Sequence, residues 1–274
     1  MAEVKKVKVA IIGAGTAGLS ARREVAKQTH DYVVIEGGAL GTTCARVGCM
    51  PSKVLIQAAN DFDRRCVFAS EGIYGAEKLH IDPSKVMEFV RKLRDRFVKG
   101  VLNDIKSWQD KIIREYVSFV DANTLKTESG KLTKADKIII ATGSKPLIPK
   151  SWQAYQDYLI DTNSFFELTE MPEKMVVVGL GVIGIELGQA LAKLGLDVTL
   201  VGLGKSIGGL SDPILQDYVA DKFTKQLNIS YEGADVVGMK DGRLQVKIGD
   251  KVHLFDKALL AMGRAPNLNG LGLG

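Results

Sequence analysis

The stretch VKVAIIGAGTAGLSARREVAK, Val7 to Lys27, decides the fold. Val7 to Ile12 is a short apolar run of strand type. Gly13, Gly15 and Gly18 follow at GxGxxG spacing, and a helical pattern runs from about Ala17 to Lys27. A second strand, Tyr32 to Ile35, ends at Glu36. The pattern then recurs. In MVVVGLGVIGIELGQALAKL, Met175 to Leu194, Gly179, Gly181 and Gly184 each stand 166 positions after their counterparts, and a strand from Asp197 to Val201 follows the helix. Each copy reads as a βαβ dinucleotide-binding unit, so the expected fold class is α/β with two Rossmann-type domains.

The three glycines of such a unit have separate tasks: a tight turn, close approach of the backbone to a pyrophosphate, and close packing of helix on strand. The phosphates sit at the helix N-terminus, where free N–H groups and the helix dipole favour negative charge. Glu36, 23 residues after Gly13, lies close to the spacing at which a carboxylate reaches the ribose hydroxyls. The second copy has Gly202 at that position. It lacks both the acceptor for a 2′-hydroxyl and the repulsion against a 2′-phosphate, so weak discrimination between NAD and NADP is expected. Lys205 either pairs with such a phosphate or is a solvated loop lysine.

Between the copies the pattern predicts a long helix from about Pro83 to Trp108 and strands at Ile112 to Phe119 and Lys137 to Ile140, the last ending in Ala141-Thr142-Gly143-Ser144. Pro146, Pro149 and the polar stretch to Asn163 read as a linker. The expected domains are therefore 1–150 and 151–274, the second including the start of a return to the first near its end.

Composition narrows the function. At 46% hydrophobic and 25% charged, the 274 residues are ordinary for a globular protein, and the net charge of +5 is modest. Arg91, Lys92, Arg94, Arg96 and Lys99 alternate with Val90, Leu93, Phe97 and Val101 at helical spacing, which marks an amphipathic surface helix and argues against nucleic-acid binding. The opening lysines run directly into a strand without a signal-type segment, and the most apolar region, Met175 to Leu196, is broken by glycines and by Glu186, Gln189 and Lys193. A leaderless cytoplasmic protein with no membrane span is expected. Three cysteines are too few for a secreted disulfide scaffold, so the closely spaced Cys44 and Cys49 suggest redox chemistry or metal.

In CARVGCMPSK, Cys44 to Lys53, the two thiols are five residues apart. On a regular helix that spacing means a rise of about 7.5 Å, whereas a disulfide needs Cα atoms about 4.4 to 6.8 Å apart, so Gly48 must help bend the chain. A zinc site is disfavoured, because Cys66 stands alone and His30, His80 and His253 have no ligand spacing. No metal is expected.

Together GAGTAG at Gly13 to Gly18, CARVGCMPSK, ATGS at Ala141 to Ser144, GLGVIGIELG at Gly179 to Gly188 and MGRAPN at Met262 to Asn267 resemble, in content and order, the pyridine nucleotide-disulfide oxidoreductases. Within them the dihydrolipoamide dehydrogenase type is favoured by Val182, where some relatives carry a tyrosine over the flavin. The resemblance implies FAD in the first repeat, near Gly13, Gly15, Gly18, Glu36, Thr43, Lys53, Ala141, Thr142 and Gly143. It implies a nicotinamide dinucleotide, NAD with NADP possible, in the second, near Gly179, Gly181, Gly184, Gly202, Gly263 and Arg264. It makes Cys49 the thiol against the flavin and Cys44 the interchange thiol, paired as a redox disulfide, with Lys53 and Glu186 beside the reactive flavin edge. The implied activity passes electrons between a dithiol, dihydrolipoamide first, the disulfide, FAD and NAD. Alternatives are a mercuric or glutathione reductase-like enzyme, or a nucleotide-binding module without turnover. Family members continue through the rest of the flavin domain into a dimerisation domain that supplies a catalytic histidine; no residue here matches that motif, and a homodimer is expected only of the full-length family form.

Overall fold

The computed structural model describes Val4–Leu273. The chain forms two compact units, each discontinuous in sequence. The first holds residues up to Arg46, then Asp95–Lys145 and the stretch from Ala265; the second holds Val47–Arg94 and Pro146–Arg264.

The first unit opens with β1 (Val4–Ile12), α1 (Thr16–Gln28), β2 (Tyr32–Ile35) and α2 (Thr43–Val47). The chain leaves it as α3 (Cys49–Asp63) and the first half of α4 (Pro83–Lys106), returning through the second half of α4 to β3 (Ile112–Ile113), β4 (Val117–Asp121), β5 (Thr124–Thr127) and β6 (Leu132–Ile140). These strands form one six-stranded sheet in the order β3-β2-β1-β6-β5-β4, parallel from β3 to β6 and antiparallel beyond. Successive side chains of a strand point to opposite faces, and both faces are covered. Ala10, Ile12, Val33 and Ile35 join one apolar cluster with Leu125, while Ile11 and Val34 join another with Leu19 of α1, Ile105 and Trp108. That is why Tyr32–Ile35 is an unbroken apolar run, buried at every position.

β7 (Ser144–Pro146) carries the chain into the second unit and β16 (Arg264–Pro266) carries it out. In between come β8 (Leu159–Ile160), α5 (Thr162–Phe165), β9 (Lys174–Val178), α6 (Val182–Lys193), β10 (Asp197–Val201), α7 (Pro213–Thr224), β11 (Asn228–Ser230), β12 (Ala234–Lys240), β13 (Arg243–Ile248), β14 (Lys251–Phe255) and β15 (Lys257–Leu260). A parallel sheet runs in the order β11-β10-β9-β15-β8, and β12-β13-β14 make a separate antiparallel sheet. β9 is shared between two cores: Met175 and Val177 pack with Leu55 of α3 and Leu191 of α6, and Val176 and Val178 with Leu244 and Phe255 of the antiparallel sheet. Each such side chain contributes about 1.5–3 kcal/mol through burial.

The compact units thus differ from consecutive domains 1–150 and 151–274. Residues 47–94 belong with the second unit because Val47, Leu55, Ala59, Met87 and Val90 share a core with α6, and the tail from Ala265 belongs with the first, where Phe119 N–H donates to Leu271 O at 2.7 Å. The stretch expected to be a linker is ordered. It contains a 3₁₀ segment at Lys150–Tyr158 whose Trp152 is buried and donates from Nε1 to Asp235 at 2.7 Å, then α5 with a reciprocal Asp161–Ser164 capping box.

Candidate active site

The two glycine turns are built alike. Gly13 N–H donates to Ile35 O (2.7 Å) and Ala141 N–H to Ile12 O (2.8 Å); the matching bonds in the second unit run from Gly179 to Val201 O (2.8 Å) and from Ala261 to Val178 O (2.7 Å). Gly13 and Gly179 have φ of +109° and +115°, and a Cβ on either would fall 2.2 or 2.3 Å from the carbonyl oxygen of Ala141 or Ala261. A Cβ on Gly18 or Gly184 would lie 1.9 Å from the oxygen of the first glycine of its own turn. These four positions carry the turn and the helix-to-strand packing. Gly15 and Gly181 differ: nothing lies within 4 Å of their Cβ positions, and they cap α1 and α6 with no side-chain hydrogen bond. Open space in front of uncapped helix N–H groups fits a phosphate in both cradles.

The first cradle opens on a cavity of about 810 Å³ lined by Gly13, Gly15, Glu36, Thr43 and Ala141 to Gly143, with α1 behind it. Gly18 is buried in α1, below the turn. Glu36 accepts from Ala14 N–H (2.8 Å) and Gly38 N–H (2.7 Å), which fixes the carboxylate at the lip of the turn. Thr42, at φ +61°, accepts from Ala45 N–H through its hydroxyl (3.1 Å) and so starts the helix that bears Thr43 and Cys44. Several lining residues were not among the expected site residues. Asn267 donates to Thr142 O (3.1 Å) and, through its N–H, to Gly143 O (3.0 Å), tying the MGRAPN segment to the ATGS turn. Tyr116 lies over Gly37, where a Cβ would come within 2.4 Å of its ring. Arg46 and Glu115 also reach the cavity. Hydrogen bonds from Ser129, then Thr127, hold the Glu115 carboxyl well down, at about 2.

Two cavities flank the second cradle. One, about 470 Å³, is lined by Gly179, Gly181, Gly263 and Arg264, whose guanidinium donates to the Thr162 hydroxyl (3.3 Å). The other, about 460 Å³, is lined by Gly179, Gly202, Glu232 and Lys247. Gly184 lies beneath the turn, inside α6. Lys205 does not line either cavity and sits 3.3 Å from Asp217.

The cysteine segment breaks where Gly48 was expected to bend it. α2 ends at Val47, Gly48 takes φ −132° and ψ −124°, and Cys49 is the first residue of α3. Cys44 is half-buried in α2 and Cys49 is exposed. Cys49 thus stands at the positive end of a 15-residue helix. One turn on, Lys53 forms an ion pair with Glu186 of α6 at 2.5 Å. Leu55 and Ala59 of α3 are buried in one core with Leu187 and Leu191 of α6, which sets the two helices side by side. With side chains 58% and 34% exposed, the pair stabilises the fold by under about 1 kcal/mol. Its placement, rather than its strength, is what bears on chemistry.

Against known families, the description pyridine nucleotide-disulphide oxidoreductase matches residues 7–273. The chain belongs to that family. Its curated relatives include dihydrolipoyl dehydrogenases from Geobacillus stearothermophilus, 30% identical over 96% of this chain and 57% of the relative, and from Staphylococcus aureus, 32% identical over 96% and 58%. The chain therefore spans somewhat under three fifths of the length of these relatives. Among solved structures, the HOCl-induced flavoprotein disulfide reductase RclA from Escherichia coli, as its Cu(II) complex, aligns with a TM-score of 0.81 at 21% identity, over 97% of this chain and 58% of that one. That likeness concerns the fold. Family membership implies a flavin and a nicotinamide nucleotide, which the two open cradles accommodate. Among the described residues no helix is long and apolar enough to cross a membrane, and no cluster of three potential ligands could hold a metal ion.

Proposed function

We propose that these residues carry the flavin and nicotinamide sites of a dihydrolipoamide dehydrogenase-type disulfide oxidoreductase, with FAD in the first cradle, NAD in the second, and Cys44 and Cys49 as the redox pair. The observation that carries the reading is Cys49 at the N-terminus of α3 with the Lys53–Glu186 pair one turn beyond it. FAD, when bound, would relay two electrons between the nicotinamide and the disulfide. Gly15 and Gly181 would admit the diphosphates, Glu36 would take the ribose of the flavin dinucleotide, and Lys53, oriented by Glu186, would offer positive charge to a reduced flavin. Cys49, at the start of α3, would face the flavin while Cys44 exchanges with a dithiol. Dithiol exchange also needs a proton acceptor. None of the cavities described is lined by a histidine, and His30, His80 and His253 are all exposed. A homodimer acting in the cytoplasm on a small dithiol completes the reading.

Thiol counting tests it. With FAD bound, the oxidised protein is expected to show one reactive thiol, Cys66, and three after anaerobic addition of stoichiometric NADH, because two electrons and two protons convert one disulfide to two thiols. Cys49→Ser and Cys44→Ser should each abolish the NADH-dependent gain, whereas Cys66→Ser should preserve it. A bridge that includes Cys66 would sink the assignment.

A further inference from the structure

We infer that Glu232 supplies the ribose acceptor that position 202 lacks, and that it makes the second cradle prefer an adenosine without a 2′-phosphate. The inference rests on reading the second cradle as a nicotinamide dinucleotide site.

The two units match one strand further out than the sequence repeat reaches. Glu36 N–H donates to Ile113 O (2.9 Å), and Gly202 N–H donates to Ser230 O (3.0 Å). Ile113 and Ser230, the last residues of β3 and β11, are therefore equivalent, and so are Glu115 and Glu232 two residues beyond them. In the first unit both carboxylates of this register are present. Glu36 is bonded to the turn, and Glu115 is committed to the hairpin through Ser129 N–H (3.0 Å).

In the second unit the inner carboxylate is gone and its space is filled. Leu180, which stands where the first turn has Ala14, is buried, and a Cβ on Gly202 would come 2.6 Å from its Cγ. The outer carboxylate remains. Among the described residues no donor or cation engages the Glu232 carboxylate. It rests against Gly249, where a Cβ would fall 2.6 Å from its Oε2, and it lines the cavity shared with Gly179 and Gly202. Asp235, the other acid of that cavity, already accepts from Trp152. An uncommitted carboxylate there can accept from ribose hydroxyls and repels a 2′-phosphate. Lys247 is the one cation lining this cavity that would favour the phosphate, since Lys205 is held by Asp217.

Calorimetric titration of the full chain with NADH and NADPH, repeated with 5′-AMP and adenosine 2′,5′-bisphosphate, tests this without any turnover. Wild type is expected to bind NADH about tenfold more tightly than NADPH, the scale of one hydrogen bond to a charged group. Glu232→Gln should bring the two within about threefold, mainly by weakening NADH, and leave FAD affinity and melting temperature unchanged. The bisphosphate should gain on 5′-AMP in the same variant. An unchanged NADH:NADPH ratio in Glu232→Gln, or a wild-type preference for NADPH that Lys247→Gln abolishes, would overturn the inference while the nicotinamide reading stands. If neither dinucleotide binds, the reading of the second cradle fails, and the inference with it.

Discussion

At Gly15 and Gly181 an added methyl group meets no protein atom within 4 Å, and the backbone already has φ of −75° and −68°, which alanine adopts freely. Gly15→Ala and Gly181→Ala should therefore leave folding stability within about 0.5 kcal/mol of wild type. A phosphate in front of the helix would meet that methyl, and overpacking of this kind costs about 1–3 kcal/mol. FAD affinity should fall by about tenfold or more in Gly15→Ala and NADH affinity by a similar factor in Gly181→Ala, each leaving the other ligand unaffected. Gly13→Ala and Gly179→Ala should instead lose stability outright, because the new Cβ would collide with a backbone carbonyl at a strongly positive φ. Chemical denaturation beside ligand titration separates the two classes. Equal ligand affinity in Gly15→Ala and wild type would mean that the first cradle does not carry the diphosphate.

Elements, rather than single residues, hold the remaining groups in place. The Lys53–Glu186 pair joins two helices whose packing rests on Leu55, Ala59, Leu187 and Leu191, so Lys53→Met and Glu186→Gln should change stability by less than about 1 kcal/mol. Anaerobic reduction of bound FAD by NADH should slow by about tenfold or more in Lys53→Met, as expected when a preorganised charge is removed; unchanged rates would make the pair structural only. Just before the hairpin β4–β5, Glu115 has its pKa depressed from 4.5 to about 2 by Ser129 and Thr127. A depressed carboxyl stabilises the fold above its unfolded pKa and loses that contribution as pH falls toward the folded value. Urea denaturation between pH 5 and pH 2 should show stability falling less steeply in Glu115→Gln than in wild type, and identical slopes would rule the contact out as a source of acid sensitivity. Legibility in the sequence also varied by element. Strand–turn–helix repeats were readable because glycine spacing and apolar runs are local signals, and Asp197–Val201 matched to the residue. α7 and the β12–β14 sheet were not anticipated, although Asp212-Pro213 is a helix start and Asp241-Gly242 a turn. The outer carboxylates Glu115 and Glu232 were invisible for a different reason: their register appears only once β3 and β11 are seated beside β2 and β10.

At the scale of the whole chain, two cradles of the same geometry must be told apart by what surrounds them. The first has the larger cavity, about 810 Å³, with Glu36 fixed at its lip and Asn267 bracing the ATGS turn. The second has smaller cavities on either side of the turn, no inner carboxylate, and Glu232 in reserve. If the first takes FAD and the second NAD, each ligand should slow amide exchange in its own unit. A ligand at a hundred times its dissociation constant stabilises the state it binds by about 2.7 kcal/mol, enough to slow exchange through unfolding of that unit about a hundredfold. FAD should protect the backbone at Gly13 to Gly18, Glu36 to Gly38 and Ala141 to Gly143. NADH should protect Gly179 to Gly184, Gly202 to Leu203 and Ser230 to Asp235. Hydrogen exchange read by mass spectrometry, with each ligand alone, makes the comparison within one chain. Protection of Gly179 to Gly184 by FAD, with Gly13 to Gly18 untouched, would reverse the assignment of the two sites.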